Sequence, residues 1–220
     1  MLRYTHSQKM NNQQSHSSEV VKFNPSTDQK LSPYPNHTLI GSYVWLRPIF
    51  PDDWKKLCEI LCNPEKMKYF RDGKGYLKSE VQSDVFTQAS ANLKLPEGDL
   101  VEVMDKKAEN SKDRDIAYTW TFFTHKGLAG RIVVYVINSE NRYEIGYCGS
   151  GGTEKAAKLV VEYLAGKNCL ATVHPDNKAS VKILNNLGFV PDQERQNVEK
   201  YGSYRDYYLL TRQNNLDRSR

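Results

Sequence analysis

The sequence predicts a mixed α/β domain, and three stretches of the chain carry that prediction. Residues 54–61 place apolar side chains at the spacing of a helix that packs one face against a core. Residues 116–122 alternate in the period of a half-buried strand. Residues 170–189 combine a short apolar run with a second helical pattern that ends at a glycine. Strand and helix periods in one chain indicate helices packed on a sheet.

The domain is predicted to begin with a strand followed by a helix. Residues 43–48, Tyr-Val-Trp-Leu-Arg-Pro, favour the first strand. The acidic residues of Pro51-Asp-Asp53 suit the positive end of a helix. The apolar face of this helix is expected to contain Trp54, Leu57, Cys58 and Leu61. We expect Asn63-Pro64 to close it.

A capping box at Ser79-Glu-Val-Gln82 predicts the start of a second amphipathic helix. Its apolar face is expected to contain Val81, Val85, Phe86 and Leu93. Residues 94–114 are rich in Lys, Glu and Asp, so we expect a long exposed loop there.

The middle of the chain predicts three strands separated by short turns. The strands are expected at Ile116–Phe122, Gly130–Ile137 and Tyr143–Tyr147. Turns at Lys126-Gly127 and Asn141-Arg142 separate them. A glycine cluster, a helix reaching Gly166 and a final strand at Tyr204–Thr211 complete the pattern around residues 170–189.

Residues 170–189 encode a strand, a polar elbow and a capped helix. Leu170–Val173 reads as a buried strand that Pro175 ends, and either Asp176 or Asn177 can cap the helix that follows. The apolar stripe of this helix is expected to contain Val181, Leu184 and Leu187, widened by Ala179 and Ile183. Gly188 suits a left-handed helix end, with Phe189 folding back as its apolar contact.

The first 38 residues differ in composition from the rest. Ser, Asn, Gln, His and Pro dominate there, so this segment cannot bury enough apolar surface to offset its ordering entropy. We expect a disordered or loosely docked tail at 1–38, one domain at 39–213 and a C-terminal tail at 214–220. The N-terminal tail lacks the apolar stretch of a signal peptide, and no other run is long enough to span a membrane.

Charge and cysteine content favour a cytoplasmic protein. The formal net charge of +5 favours solubility, although a basic surface can also attract phosphates. Because the sequence has no RNA-stacking motif or helix-turn-helix pattern, nucleic acid is not an expected partner. The four cysteines, Cys58, Cys62, Cys148 and Cys169, lack metal-ligand pairing with histidines. We therefore expect reduced thiols and no metal.

The most specific motif is Asn177-Lys-Ala-Ser180 followed by Leu187-Gly-Phe189. Leu46-Arg-Pro48 and Glu144-Ile-Gly-Tyr147 stand upstream of it. Together these motifs resemble the GNAT superfamily of acyl-CoA-dependent N-acyltransferases, in particular its branch of ribosomal-protein alanine and serine N-acetyltransferases. The resemblance covers residues 42–212. It implies a central mixed, mostly antiparallel twisted sheet flanked by helices.

The resemblance also implies acetyl-CoA as the cosubstrate. Backbone N–H groups of a glycine-rich turn before a helix suit its pyrophosphate. The residues expected to form this cradle are Gly149, Ser150, Gly151, Gly152 and Thr153. The stretch departs from the family pattern Q/R-x-x-G-x-G/A, because the Gln/Arg position falls on Gly146 and the loop is short. One anchoring side chain is therefore missing.

Three residues of the upstream and downstream motifs are candidates for the chemistry. The resemblance implies that Asn177 contacts the pantetheine arm or orders the elbow, although a plain helix cap explains it equally well. Ser180 is implied to donate a hydrogen bond to the leaving thiolate, or it is a small residue packed on the sheet. Glu144 can take the amine proton through water, or it is a solvated charge or a salt bridge.

Further candidates are less specific. His174 has the pKa of imidazole, but a histidine held by backbone groups is the more common outcome. Tyr201 and Tyr204, in a late hairpin, can donate to sulfur or merely pack. We keep Tyr204 with Ser180 and Glu144 as the predicted catalytic set. None of this chemistry needs a metal.

The function expected from the resemblance is acetyl transfer from acetyl-CoA to a primary amine by direct attack. Residues 67–71 and 196–204 are the expected acceptor contacts, and a small-molecule or peptide amine suits their mixed aromatic and charged side chains. The alternative is a catalytically degenerate binding or regulatory module, which the short glycine loop favours. A basic RNA-associated protein is a weaker third class. A homodimer is compatible with the sequence.

Overall fold

The computed structural model describes residues 37–70, 73–95, 99–110, 114–164, 166–200 and 202–211. The predicted tails at 1–38 and 214–220 lie outside these residues, except for His37 and Thr38. His37 is buried, and its Nδ1 lies 2.9 Å from the Tyr118 hydroxyl. Its carbonyl accepts a hydrogen bond from Trp120 Nε1 at 2.8 Å. The described chain therefore begins with a residue that packs on the domain.

The described chain contains nine strands and six helices. The strands are β1 (Leu39–Ile40), β2 (Trp45–Pro48), β3 (Arg114–Thr124), β4 (Gly127–Ile137), β5 (Arg142–Gly149), β6 (Cys169–Val173), β7 (Val190–Pro191), β8 (Val198–Lys200) and β9 (Ser203–Leu210). The α-helices are α1 (Trp54–Leu61), α2 (Pro64–Met67), α3 (Lys78–Leu93), α4 (Leu100–Asn110), α5 (Thr153–Tyr163) and α6 (Lys178–Asn186). Short 3₁₀ turns stand at Pro51–Asp53 and Asn138–Glu140.

The strands form one sheet in the order β1-β2-β3-β4-β5-β6-β9-β7, with β8 paired to β9. Neighbouring strands are antiparallel except β5 and β6, which run parallel. The mixed, mostly antiparallel sheet expected from the resemblance is therefore confirmed. A parallel pair needs a crossover connection, and here α5 supplies it.

Helices cover both faces of the sheet. One face packs against α4, α5 and α6 around a large core that includes Trp120, Tyr118 and Val160. The other face packs against α1, α2 and α3 around a smaller core that includes Leu57 and Val81. Buried polar bonds fix α3 on this second face. In particular, Asn92 Nδ2 donates to the Thr119 carbonyl at 2.7 Å.

The beginning of α3 differs from the predicted capping box. The helix starts at Lys78, and Glu80 Oε2 accepts the backbone N–H of Leu77 at 2.7 Å. The glutamate half of the motif is therefore present, but Ser79 lies inside the helix. The predicted apolar face is partly wrong as well, because Phe86 and Leu93 are exposed. Gln88, Ala89 and Asn92 are buried instead, beside Val81 and Val85.

The predicted exposed loop at 94–114 is wrong. Residues 100–110 form α4, and Leu100, Val103 and Met104 are buried. The charged residues that suggested a loop share this segment with an apolar face. A helix that packs in this way is stabilised mainly by burial of its apolar side chains rather than by helix propensity.

Two helix boundaries also differ from the expected ones. Asn63-Pro64 does not simply close α1, since Asn63 Oδ1 accepts the Lys66 N–H at 3.2 Å and caps the short helix α2. α5 ends at Tyr163 rather than near Gly166. Gly166 itself has φ +86°, which explains the helix-stop signal in the sequence.

The elbow and helix at 174–189 agree with the prediction in most details. Asn177, rather than Asp176, caps α6, because its Oδ1 accepts the Ser180 N–H at 3.2 Å. Gly188 has φ +90°, and the Phe189 N–H bonds the Leu184 carbonyl at 3.0 Å. These features form a Schellman helix end. Ala179 is exposed, however, so it does not belong to the apolar stripe.

Candidate active site

Strands β5 and β6 are neighbours only at their beginnings. Tyr143 lies opposite Cys169 and Glu144 opposite Leu170, after which the register between these two described strands ends. From there β5 continues beside β4, and β6 continues beside β9. A cavity of about 430 Å³ lies at this separation, lined by both strands, α3, Arg205 of β9 and the beginning of α6.

One face of β5 lines the cavity, and the other packs in the larger core. Glu144, Gly146 and Cys148 share a face with their register partners on β4. These partners are Tyr135, Val133 and Arg131, and all six residues line the cavity. The other face of β5 includes Tyr143 and Ile145, which belong to the larger core. This arrangement follows the alternation of side chains along a strand. It places an acidic side chain on the wall of the cavity.

Glu144 is buried, with 3% of its surface exposed, and hydrogen-bond donors and cations surround it. Arg114 Nε donates to Oε2 at 2.8 Å, and Thr172 Oγ1 donates to Oε1 at 3.2 Å. The Lys200 ammonium lies 3.6 Å from Oε2. Opposite charges and hydrogen bonds stabilise an ionised carboxylate that burial alone would disfavour. The solvated-charge interpretation is therefore wrong, and the salt-bridge interpretation is confirmed.

Ser180 lies in the first turn of α6 and lines the cavity. Its backbone is held by the Asn177 cap, and its Oγ lies 2.9 Å from the Tyr147 hydroxyl. The Tyr147 hydroxyl also lies 3.3 Å from the Ser180 carbonyl. Burial raises the pKa of Tyr147 to about 12, so its hydroxyl keeps its proton at neutral pH. Two neutral hydroxyls thus meet where β5 and β6 separate.

Tyr147 is the site residue that sequence reasoning missed. Alternation along β5 assigns it to the same face as Tyr143 and Ile145, which suggests a core position. It packs on the edge of that core, yet its hydroxyl reaches Ser180, 33 positions away in the chain. The Glu-Ile-Gly-Tyr motif was the available signal. It did not predict which partner the tyrosine finds.

The glycine loop turns tightly between β5 and α5. Ser150 N donates to the Ala129 carbonyl at 2.8 Å, which ties the loop to β4. Gly151 and Gly152 have φ of +62° and +76°, in the left-handed region that side chains avoid. A Cβ on Gly152 would lie 2.8 Å from Val44 Cγ1 and 3.0 Å from Thr124 Cγ2. Glycine at position 152 is therefore a steric requirement of this turn.

The loop and the gap between the strands fit an acyl-CoA. Gly152 is the N-cap of α5 and has no side chain to cap the N–H groups of the first turn, so an anion can accept from them. Asn186 Nδ2 donates to Glu154 Oε1 at 3.1 Å and joins α6 to the start of α5. Together, these features suit a pyrophosphate at the loop and an extended arm along the separated strands. Gly146 lines the cavity and supplies no anchoring side chain.

The remaining predicted residues lie in different places. His174 lines the cavity, but its Nδ1 accepts the Asp176 N–H at 3.1 Å and its ring packs 5.2 Å from that of Tyr69. Tyr204 lies opposite Glu199 in the β8–β9 hairpin, is 54% exposed and is not part of the cavity lining. Tyr201 lies outside the described residues.

The wall opposite α6 is built from α3 and β4. Arg131, only 7% exposed at its side chain, donates from Nη1 to Asp84 Oδ2 at 2.6 Å. The same nitrogen lies 3.2 Å from Gln88 Oε1, and Gln88 in turn donates to Asp84 Oδ1 at 2.8 Å. This buried network fixes α3 above the cavity. Removing one partner of such a pair leaves an uncompensated charge.

The described residues contain neither a cluster of metal ligands nor a helix that could span a membrane. Within those ranges, no group of three or more His, Cys, Asp or Glu side chains converges on a point that could hold a metal ion. None of the helices described above is both long enough and apolar enough to cross a bilayer. The four cysteines are unbridged, and burial raises the pKa of the Cys148 thiol despite its Arg131 neighbour.

Solved structures similar to this chain share its fold at low sequence identity. A GNAT-family acetyltransferase from Bacillus anthracis has a TM-score of 0.60 at 16% identity, covering 80% of this chain and 99% of the other. An acetyltransferase from Salmonella typhimurium that modifies the N-terminal serine of ribosomal protein L7/L12 has a TM-score of 0.55 at 13% identity, covering 78% and 96%. Spermidine N-acetyltransferase from Vibrio cholerae, in complex with CoA and spermine, has a TM-score of 0.53 at 15% identity, covering 80% and 99%.

The sequence itself matches a family. Among curated proteins, none matches this chain. The sequence model of the acetyltransferase (GNAT) domain, however, matches residues 44–190, which span β2 to the start of β7 and include the cavity-lining parts of β5, β6 and α6. This match covers most of the chain and agrees with the fold and the strand separation. The protein therefore belongs to the GNAT family of acetyltransferases.

Proposed function

We propose that the protein transfers the acetyl group of acetyl-CoA directly to a primary amine of a small molecule or peptide, without an acyl-enzyme intermediate. The observation that carries this proposal is the Ser180–Tyr147 hydroxyl pair at the separation of β5 and β6. When bound, acetyl-CoA supplies an activated acetyl thioester. Two similar structures support an amine acceptor, since one protein modifies an N-terminal serine and the other was solved with spermine.

The glycine loop and the elbow hold the cosubstrate in this proposal. The loop Gly149–Thr153 leads the chain into α5 and offers the N–H groups of the first helical turn and its positive end to the pyrophosphate, while the Ser150 N–H stays bonded to Ala129. Asn177 has two tasks. It caps α6 through its Oδ1, and its amide group lies in the cavity lining beside the strand gap, where it can contact the pantetheine arm.

Glu144 receives the proton of the acceptor amine through a water molecule. Its carboxylate lines the cavity, and Arg114 and Lys200 are its cationic partners. An anionic oxygen near an ammonium group favours binding of the amine and accepts the proton that the amine loses as it attacks.

The Ser180 hydroxyl stabilises the departing thiolate by a hydrogen bond. Serine is too weak an acid to protonate sulfur fully, so its position matters more than its acidity. Tyr147 fixes that position, because its hydroxyl is 2.9 Å from Ser180 Oγ. Tyr204 takes no step in this proposal, since its exposed side chain is outside the cavity lining.

An amine-library screen with acetyl-CoA, monitored by release of free thiol, tests the proposed reaction. We expect amine-dependent thiol release in the wild type and a loss of at least tenfold in kcat/KM for Asn177→Ala, a change of about 1.4 kcal/mol. Asn185→Ala is the matched control, because Asn185 is an exposed asparagine of the same helix. If calorimetric titration with millimolar acetyl-CoA gave no binding, the proposal would be wrong.

The alternative is a catalytically inactive GNAT-fold binding module. The observation that favours it is the short glycine loop. The position where the family has Gln or Arg falls on Gly146, which lies in β5 before the loop and has no side chain to anchor the pyrophosphate. Such a module would bind acetyl-CoA or a related anion without thiol release. Amine-dependent turnover that Asn177→Ala abolishes in a folded protein would remove this alternative.

A further inference from the structure

The charges on the cavity wall bear on the kind of amine that the protein accepts, an inference that rests on the proposed acetyl transfer. Six described Asp, Glu and Arg side chains line the cavity: Glu80, Asp84, Glu144, Arg114, Arg131 and Arg205. We call these six the charged wall. They come from α3, β3, β4, β5 and β9, so the wall encloses the side of the cavity away from α6.

The carboxylates of the charged wall already have cationic or N–H partners. Asp84 bonds Arg131 at 2.6 Å, and Glu80 accepts the Leu77 N–H at 2.7 Å. Glu144 bonds Arg114 at 2.8 Å and also lies near Lys200. A polyamine would bring several ammonium groups that must lose water on entering. Each ammonium group would have to compete with the Arg, Lys or N–H partner that a carboxylate already has. Because an ammonium group that loses water and finds no new partner raises the free energy of binding, a polyamine is disfavoured.

Two of the three cations of the wall, Arg131 and Arg205, are buried. Arg131 and Arg205 each have 6% of their surface exposed, and Arg205 Nη1 donates to the Tyr69 carbonyl at 2.7 Å. Three guanidinium groups therefore face three carboxylates. Lys200, 22% exposed at its side chain and 3.6 Å from Glu144, adds a fourth cation at the edge of the described wall. The three guanidinium groups of the wall and Lys200 thus outnumber the three carboxylates by one positive charge.

Glu144 and its cations present opposite charges close together. A carboxylate lies between the guanidinium of Arg114 and the ammonium of Lys200, at 2.8 Å and 3.6 Å. An acceptor with an ammonium group and a nearby anion would match this arrangement, the ammonium facing Glu144 and the anion facing the cations. The ion pair from Lys200 is longer than a hydrogen bond. Since a lysine side chain is flexible, its ammonium can turn towards an incoming anion.

We propose that the preferred acceptor is a primary amine with an acidic side chain a few bonds away, and not a polyamine. Two sources share this chemistry, namely an acidic free amino acid and a peptide N-terminus followed by an acidic residue. Lys200 is the specificity-determining residue, because it stands at the edge of the wall and belongs to the β8–β9 hairpin. The selectivity between two acceptors is the difference between their binding free energies. A cation at the edge of the site therefore favours an acidic acceptor and repels a polycationic one.

The test uses the full chain with acetyl-CoA and acceptor pairs that differ only by an amide. The peptide arm compares Ser-Asp-Ala-Ala with Ser-Asn-Ala-Ala, the amino-acid arm compares glutamate with glutamine, and spermidine is the polycation. We expect the acidic member of at least one pair to exceed its amide by about tenfold in kcat/KM, and to exceed spermidine. The arm with the larger acid-to-amide ratio in kcat/KM shows whether the acceptor is a free amino acid or a peptide N-terminus.

Lys200→Gln should reduce the acid-to-amide ratio to less than about threefold, whatever its effect on the activity that both members of a pair share. Lys56→Gln removes the same charge from an exposed position on α1 and should keep the wild-type ratio. Calorimetric titration of each acceptor into the CoA-saturated protein gives a second measurement, in which Lys200→Gln should weaken binding of the acidic member only. A role of Lys200 in folding alone would lower both members equally.

The inference can be overturned in three ways. Preference for spermidine, or acid-to-amide ratios near one in both arms, would refute the acceptor class while leaving acetyl transfer in place. Absence of thiol release with every amine would instead refute the proposed function, and the inference with it. An unchanged ratio in Lys200→Gln would refute the assignment of Lys200.

Discussion

The steric requirement at Gly152 yields a prediction with a matched control one residue away. Gly151 and Gly152 both have left-handed φ values, so alanine at either position should cost about 1 kcal/mol of backbone strain. The two sites differ in surroundings. A Cβ at position 151 would meet no atom within 4 Å, whereas a Cβ at position 152 would lie 2.8 Å from Val44 Cγ1 and 3.0 Å from Thr124 Cγ2.

The difference between the two variants isolates the packing cost. Overpacking typically costs about 1–3 kcal/mol, so Gly152→Ala should lower the free energy of unfolding by about 2–4 kcal/mol and Gly151→Ala by about 1 kcal/mol. For a domain of this size each kcal/mol lowers Tm by about 2–4 °C. The reduction of unfolded-chain entropy by alanine is common to both variants and cancels in the comparison.

Thermal and urea unfolding of the two variants and the wild type are the assays. We expect a Tm decrease of about 4–16 °C for Gly152→Ala and about 2–4 °C for Gly151→Ala. Because a ligand that binds only the folded state raises Tm, added acetyl-CoA should stabilise the wild type. Equal decreases for the two alanine variants would refute the reasoning, since the contacts with Val44 and Thr124 would then carry no cost.

Three further predictions concern other polar contacts. Tyr147→Phe should lower kcat about tenfold with little change in acceptor KM, because it removes the hydroxyl that holds Ser180. It should change the free energy of unfolding by no more than about 1 kcal/mol. A normal kcat in steady-state assays would contradict this prediction. Asn177→Ala should lower stability by about 1 kcal/mol through loss of the helix cap, measured by urea unfolding without ligand; an unchanged midpoint would mean that the cap contributes nothing. Burial opposes the charge of Asp192, but hydrogen bonds from Arg195 and the backbone outweigh it and lower its pKa. Its contribution to stability is therefore complete above the unfolded pKa of about 4 and is lost as the pH falls below that value. Asp192→Asn should make the free energy of unfolding fall less steeply between pH 5 and pH 2 than it does in the wild type. An equally steep fall in both proteins would show that other carboxylates cause it.

Local sequence signals predicted the elements that depend on neighbouring residues. The cap at Asp176 or Asn177, the left-handed Gly188 and the strand predicted at 143–147 require only the residue types at fixed offsets; the structure assigns the cap to Asn177 and extends the strand to 142–149. Such features form from contacts within one or two turns, so their signature is compact. The same reasoning was wrong at 94–114, because high local charge concealed Leu100 and Met104, which tertiary packing buries.

The candidate site could be predicted only in part for a related reason. Sequence motifs pointed to Ser180 and Glu144 as separate residues on a helix and a strand. They did not predict that Tyr147 would contact Ser180, nor that Arg114 would bond Glu144 across 30 positions of the chain. Tyr204 was placed in the catalytic set by its position in a hairpin, and the fold leaves it exposed.

Residue types at short, fixed spacings were enough to identify the family, most of the elements in their order and the elbow that begins α6, although not the helix α4. Tertiary structure alone decided where β5 and β6 separate and which charges meet in the resulting cavity. The partners of Glu144 come from β3, β6 and β8, distant segments that only the folded sheet brings together. Long-range contacts between common residue types leave no local signature, which is why the cavity's charge had to be found in the folded chain.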